Sequence, residues 1–304
     1  MTIDMSVNLG GLAMRNPVTT ASGTFAAGRE YSAFYELSRL GAVTTKGVSL
    51  HGWQGNDSPR IAETPSGMLN SIGLQNPGVD ALATGDIAWL RGQDVPIIVN
   101  VSGHSEAEYV QVIERFEEIG APDAYEVNIS CPNVAEGGMT FGCDPAVAER
   151  VIAKCRAVTK RPLFAKLTPN VTDITEIARA VEAAGADAVS LINTVLGMAI
   201  DARRRRPVLA RVVGGLSGPA VKPIALRMVW ECHQAVRVPL LGMGGIMTGE
   251  DAIEFMLAGA TAVAVGTANF VTPTAAADVV DGIRDYCERY GVADVKELIG
   301  GLQC

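Results

Sequence analysis

Several chemistries are missing from this chain before any is visible. Its six cysteines, Cys131, Cys143, Cys155, Cys232, Cys287 and Cys304, form no C-x-x-C pair. That argues against a zinc cage, an iron–sulfur centre or a disulfide framework. Its three histidines, His51, His104 and His233, have no metal-ligand spacing, so no metal chemistry is expected. There is no G-x-S-x-G elbow and no Walker-type loop. Basic residues are outnumbered, 25 Lys and Arg against 33 Asp and Glu. The resulting formal net charge of −8 would repel a nucleic-acid backbone. The one basic cluster, Arg203 to Arg206, reads as a solvated loop without an assigned role. No apolar run approaches the roughly 18 residues that a membrane span needs, and no N-terminal stretch has the pattern of a secretory signal. A cytoplasmic protein with neither nucleic acid nor membrane as partner is expected.

What is present suits a large core. Hydrophobic residues make up 48% of the chain, with 33 Gly and 15 Pro for tight connections. A junction recurs four times in which a helical stretch ends in Gly-Ala and an apolar strand follows, at Gly41, Gly120, Gly185 and Gly259. Each glycine suits a left-handed position just past a helix C-terminus. Ile174, Ile177, Ala178 and Val181 repeat at helical spacing, and Asp144-Pro145 reads as an N-cap followed by a first-turn proline. Strands are expected at 18–21, 42–45, 97–101, 125–129, 163–167, 188–192, 240–243 and 262–265. Short apolar runs mostly separated by helical patterns imply parallel βα units, and eight of them close naturally into a (β/α)₈ TIM barrel, taken as one domain over 1–304. A doubly wound open sheet is the alternative. Two long stretches, 51–93 and 194–218, read as irregular insertions over the C-terminal face.

In such a barrel the active site lies where the strands end. Those ends carry Ser22, Lys46, Asn100, Asn128, Lys166, Asn193, Gly244-Gly245 and Gly266-Thr267, which describes an apolar floor with convergent polar groups. The glycines after strands seven and eight occupy positions where barrels commonly bind a phosphate, although either pair alone could simply make a turn. Lys46 and Lys166 end apolar strands with no run of acids beside them. Unless they reach solvent, they require an anionic partner. Cys131 stands just beyond the fourth strand, with Asn128 three residues before it and Asn133 two after. Amides can match the donor–acceptor edge of a pyrimidine without adding charge. The competing reading is a structural cysteine beside a turn proline. Residues 68–78 are too apolar for a plain solvent loop and are expected to fold over the pocket.

Residues 128–134 (Asn-Ile-Ser-Cys-Pro-Asn-Val), 68–77 and 242–246 together resemble the class 1 dihydroorotate dehydrogenases, and the resemblance runs through nearly the whole chain. Gly137-Gly138, Phe141-Gly142 and Asp144-Pro145 resemble the catalytic subunit of the NAD-linked class 1B branch more than the fumarate-using class 1A branch. Membrane-linked class 2 enzymes carry serine where Cys131 stands. The resemblance implies one FMN per chain, held by Ser22, Lys46, Gly47, Asn100, Asn128, Lys166, Ile192, Gly218, Gly244, Gly245, Gly266 and Thr267. It implies substrate contacts from Lys46, Asn70, Ser71, Ile72, Gly73, Leu74, Asn128, Asn133, Asn193 and Thr194, with Cys131 as catalytic base. It also implies a partner subunit carrying FAD and a [2Fe-2S] cluster, assembled as two copies of each chain around a catalytic-subunit dimer. Another FMN-dependent dihydropyrimidine oxidoreductase and a non-catalytic flavin-binding scaffold are the alternatives.

Overall fold

A computed structural model of the chain describes residues 3–130 and 142–303. The barrel strands are β1 (Val18–Thr20), β2 (Val43–Thr44), β3 (Ile97–Val101), β4 (Ala124–Asn128), β5 (Leu163–Lys166), β6 (Ala188–Leu191), β7 (Leu240–Met243) and β8 (Ala260–Val265). They hydrogen-bond in the order β1-β8-β7-β6-β5-β4-β3-β2, every pair parallel. Nearly every strand residue is buried, as expected where helices cover one face and a packed barrel interior the other. Between the end strands β1 and β2, threonine side chains take over from a backbone ladder. The Thr44 N–H donates to Thr20 Oγ1 at 3.2 Å, and the hydroxyls of Thr19 and Thr44 lie 3.1 Å apart. The two ends of the sheet therefore meet, which rules out the open doubly wound alternative.

Helices return the chain between strands for the reasons their sequences suggest. Asp144 caps Pro145–Ala157 by accepting from the N–H groups of Ala146 and Val147. Ile174–Ala183 buries Ile174, Ile177, Ala178 and Val181. An antiparallel hairpin of Val7–Leu9 and Leu12–Met14 covers the N-terminal end of the barrel, where Gly10 packs on the Asp187 carbonyl just before β6. Among the described residues no helix is long and apolar enough to cross a membrane.

Three expectations are corrected. Residues 51–93 are not simply an irregular excursion, because 79–90 form the helix that leads from β2 to β3. A π-helical turn, Ala83–Ile87, interrupts it. The turn inserts a residue, so the buried positions step from Leu82 to Ile87 and the helical period is broken in the sequence. Nor are the insertions structureless. Ile61–Thr64, Gly67–Asn70, Val213–Ser217 and Val195–Met198 make a four-stranded antiparallel sheet in which the two insertions pair with each other through Leu69 and Leu216. Finally, Gly41 has no left-handed φ; it is glycine because a Cβ there would run into the Asn16 carbonyl.

Candidate active site

A cavity of about 630 Å³ opens at the C-terminal mouth of the barrel beneath the antiparallel sheet. Strand ends supply most of its wall: Ser22 after β1, Lys46 and Gly47 after β2, Asn100 of β3, Asn128 of β4 and Lys166 of β5. Ile192, Asn193 and Thr194 follow β6, Gly244 and Gly245 follow β7, and Gly266 and Thr267 follow β8. The insertions close over them with Asn70, Ser71, Ile72, Gly73, Leu74 and Gly218. Cys131 and Asn133 lie outside the described residues. Ser130 before them and Cys143 after them both line the cavity.

The charges are arranged differently from what the sequence suggests. Lys166 is not free of acids. Its Nζ lies 3.4 Å from Oε2 of Glu126, a wholly buried carboxylate on β4, and 3.5 Å from the Ser22 hydroxyl. The same Glu126 oxygen accepts from Asn100 Nδ2 at 2.5 Å. Glu126 went unassigned in the sequence, although a carboxylate on an otherwise apolar strand was the available signal. Lys46 forms no ion pair among the described residues. Burial pushes its ammonium below the ordinary lysine range, and the charges of Arg60 and Lys166 push the same way. The surviving argument is thus for one uncompensated ammonium in the cavity, not two.

The neutral groups are organised as well. Asn128 Oδ1 accepts from the Ser130 N–H and from Asn193 Nδ2, both at 3.3 Å, which sets two amides side by side. Asn76 anchors the first insertion below, accepting from the Ser49 N–H at 3.2 Å and donating to the Leu74 carbonyl at 2.7 Å. Gly245 has φ +83°, and a Cβ there would lie 2.8 Å from Lys222 Cβ and 2.9 Å from the Gly218 carbonyl. Among the described residues no turn or loop hydrogen bond uses the N–H of Gly244, Gly245, Gly266 or Thr267. Two side-chain oxygens in the wall, Asn100 Oδ1 and Ser71 Oγ, are buried without a partner. A cradle of unspent donors and orphaned acceptors is what a polar, anion-bearing ligand would complete.

Cys155, Cys232 and Cys287 are buried in helices, and burial pushes the first two thiols up to about 12, which makes them poor nucleophiles and bases. Cys143 differs, being exposed in the cavity wall with its Sγ 3.8 Å from the Asn170 carbonyl. Arg211 and Asn56 were also missed. They line the cavity and bond to each other at 3.2 Å from separate insertions, a contact that no local pattern signals.

A family model described as dihydroorotate dehydrogenase matches residues 4–286. A protein of Alkaliphilus oremlandii named dihydroorotate dehydrogenase B (NAD(+)), catalytic subunit, is 58% identical over 299 residues, covering 98% of this chain and 99% of that one. Proteins of the same name from Alkaliphilus metalliredigens and Bacteroides thetaiotaomicron are 56% and 55% identical over 300 residues, each covering 99% of both chains.

Proposed function

The chain belongs to the dihydroorotate dehydrogenase family, and on that premise we propose that it oxidises dihydroorotate to orotate, for pyrimidine synthesis, with FMN bound in the barrel mouth. The observation that carries the reading is that one cavity gathers Lys46, Lys166, the amides of Asn70, Asn100, Asn128 and Asn193, and the glycine cradle. FMN fits this donor set. The open N–H groups at Gly244, Gly245, Gly266 and Thr267 suit a phosphate, while Asn100 and Lys166 suit the polar edge of an isoalloxazine. Ser22, Gly47, Ile192 and Gly218 complete the proposed cofactor wall.

When bound, FMN supplies the acceptor for a hydride leaving C6 of dihydroorotate. The chain's own residues do the rest. The Lys46 ammonium holds the substrate carboxylate, and the amides of Asn70, Asn128 and Asn193 meet the ring's alternating N–H and C=O groups, with Thr194 beside them. Asn133 belongs to the same proposed contact set. Ser71 to Leu74 of the first insertion cover the cavity and exclude water. The Cys131 thiolate takes the C5 proton as general base. A free thiol is mostly protonated at neutral pH; positive charge in the pocket favours the thiolate, whereas burial opposes it.

Electrons then leave through a partner subunit carrying FAD and a [2Fe-2S] cluster that delivers them to NAD⁺, in a heterotetramer of two copies of each chain. The names of the relatives, which specify NAD(+) and a catalytic subunit, support a partner subunit and NAD⁺ as the acceptor. The test begins with purified protein. It should be yellow with one FMN per chain and should bleach anaerobically when dihydroorotate is added. The bleached form should persist with NAD⁺ and reoxidise once the iron–sulfur subunit is present. A protein that holds FMN but is not bleached is not this enzyme, and rapid reoxidation by NAD⁺ or fumarate alone would refute the partner.

A further inference from the structure

Among the described residues Glu126 is the only carboxylate in the core. It does not line the cavity, yet both groups it touches do. Its strand register explains the arrangement: Glu126 lies beside Asn100 of β3, and two residues on, on the same face, Asn128 lies beside Lys166 of β5. From below the cavity, one oxygen of Glu126 gathers Asn100 Nδ2 at 2.5 Å and Lys166 Nζ at 3.4 Å. The other oxygen, Oε1, is buried without a partner. As a purely structural element this is a poor arrangement, since a half-satisfied buried carboxylate is less favourable than an apolar side chain of similar size. The position therefore points to a role in what lies above it.

We propose that Glu126 is a positioning residue for the cofactor edge. It holds Asn100 and Lys166 in the cavity wall, and its charge offsets that of Lys166. A group bound there then meets one net positive charge from Lys46, Lys166 and Glu126 rather than two. The inference rests on the FMN reading above and deepens it: the buried acid sets how strongly the site favours the added negative charge of a reduced flavin.

The experiment measures the midpoint potential of bound FMN, by equilibration against reference dyes, and the FMN dissociation constant of the apoprotein. Glu126→Gln preserves the shape and removes the charge. The equilibrium should shift about ten-fold toward reduced flavin, roughly 30 mV for a two-electron couple. Glu126→Asp keeps the charge but withdraws it by one methylene. It should return the potential to the wild-type value while weakening FMN binding several-fold, because Asn100 and Lys166 lose their common anchor. A structural role alone would lower the melting temperature and leave the potential of whatever flavin stays bound unmoved. Glu126→Gln with the wild-type potential overturns the proposal. If that variant does not fold, Glu126→Asp carries the test, and wild-type FMN affinity in it overturns the proposal equally. Failure of the wild-type protein to bind FMN would instead strike the reading beneath it.

Discussion

Lys46→Met separates what the cavity does for stability from what it does for ligands. The substitution keeps the apolar stem and deletes an ammonium that burial, Arg60 and Lys166 all disfavour, with no ion pair among the described residues in return. Methionine at such a site removes a penalty from the folded state. Apoprotein carrying it should be more stable by about 0.5–2 kcal/mol, the usual range for a single stabilising substitution. For a chain of this size that is a rise of roughly 1–3 °C in melting temperature. The sign of the pH dependence follows from the same shift. A lysine whose folded-state pKa lies below its unfolded value of 10.5 is proton-poor in the fold relative to the unfolded chain between those two values. Wild-type stability therefore gains on the variant as pH rises through that window, and the advantage of Lys46→Met shrinks toward alkaline pH. Ligand binding should move the other way. A charge-assisted hydrogen bond to a carboxylate contributes about 1.5–3 kcal/mol, so orotate should bind roughly 10- to 100-fold more weakly. Differential scanning fluorimetry of apoprotein at pH 7 and 9.5, paired with orotate titration of the flavin spectrum, measures both halves. Apoprotein destabilised by Lys46→Met, or orotate affinity left unchanged, would refute the reasoning.

Gly245→Ala places a Cβ 2.8 Å from Lys222 Cβ at a left-handed φ. It should cost about 1–3 kcal/mol and lower the flavin-to-protein ratio on purification; full flavin content would show that the cradle is not used. Thr20→Val deprives the buried Thr44 N–H of its acceptor across the barrel seam. Urea unfolding should reveal a loss of about 1–3 kcal/mol that Thr20→Ser largely avoids, and equal stability of the two variants would contradict the seam's role. Cys131→Ala should retain FMN yet slow flavin reduction by dihydroorotate about 10²- to 10⁴-fold. Cys131→Ser should keep a residual rate that climbs with pH, and near wild-type reduction at pH 7 in either variant would remove Cys131 as the base.

Local chemistry in the sequence was enough to determine the barrel's repeating parts. Period-3.6 stripes such as 174–181, the Asp144-Pro145 cap and the fully buried strands depend on neighbours a few residues apart, so each was legible in place. The polar residues closing those strands were legible for the same reason, because a strand's last residue is known once the strand is. Tertiary structure decided the rest. Leu69 pairs with Leu216, and Arg211 bonds Asn56, only because two distant insertions meet above the mouth. The π turn at 83–87 breaks the period that would have announced its helix. Most of all, the charge of the cavity was settled by Glu126 reaching Lys166 across adjacent strands. A carboxylate and an ammonium 40 positions apart have no signature of pairing until register places them on one interior face.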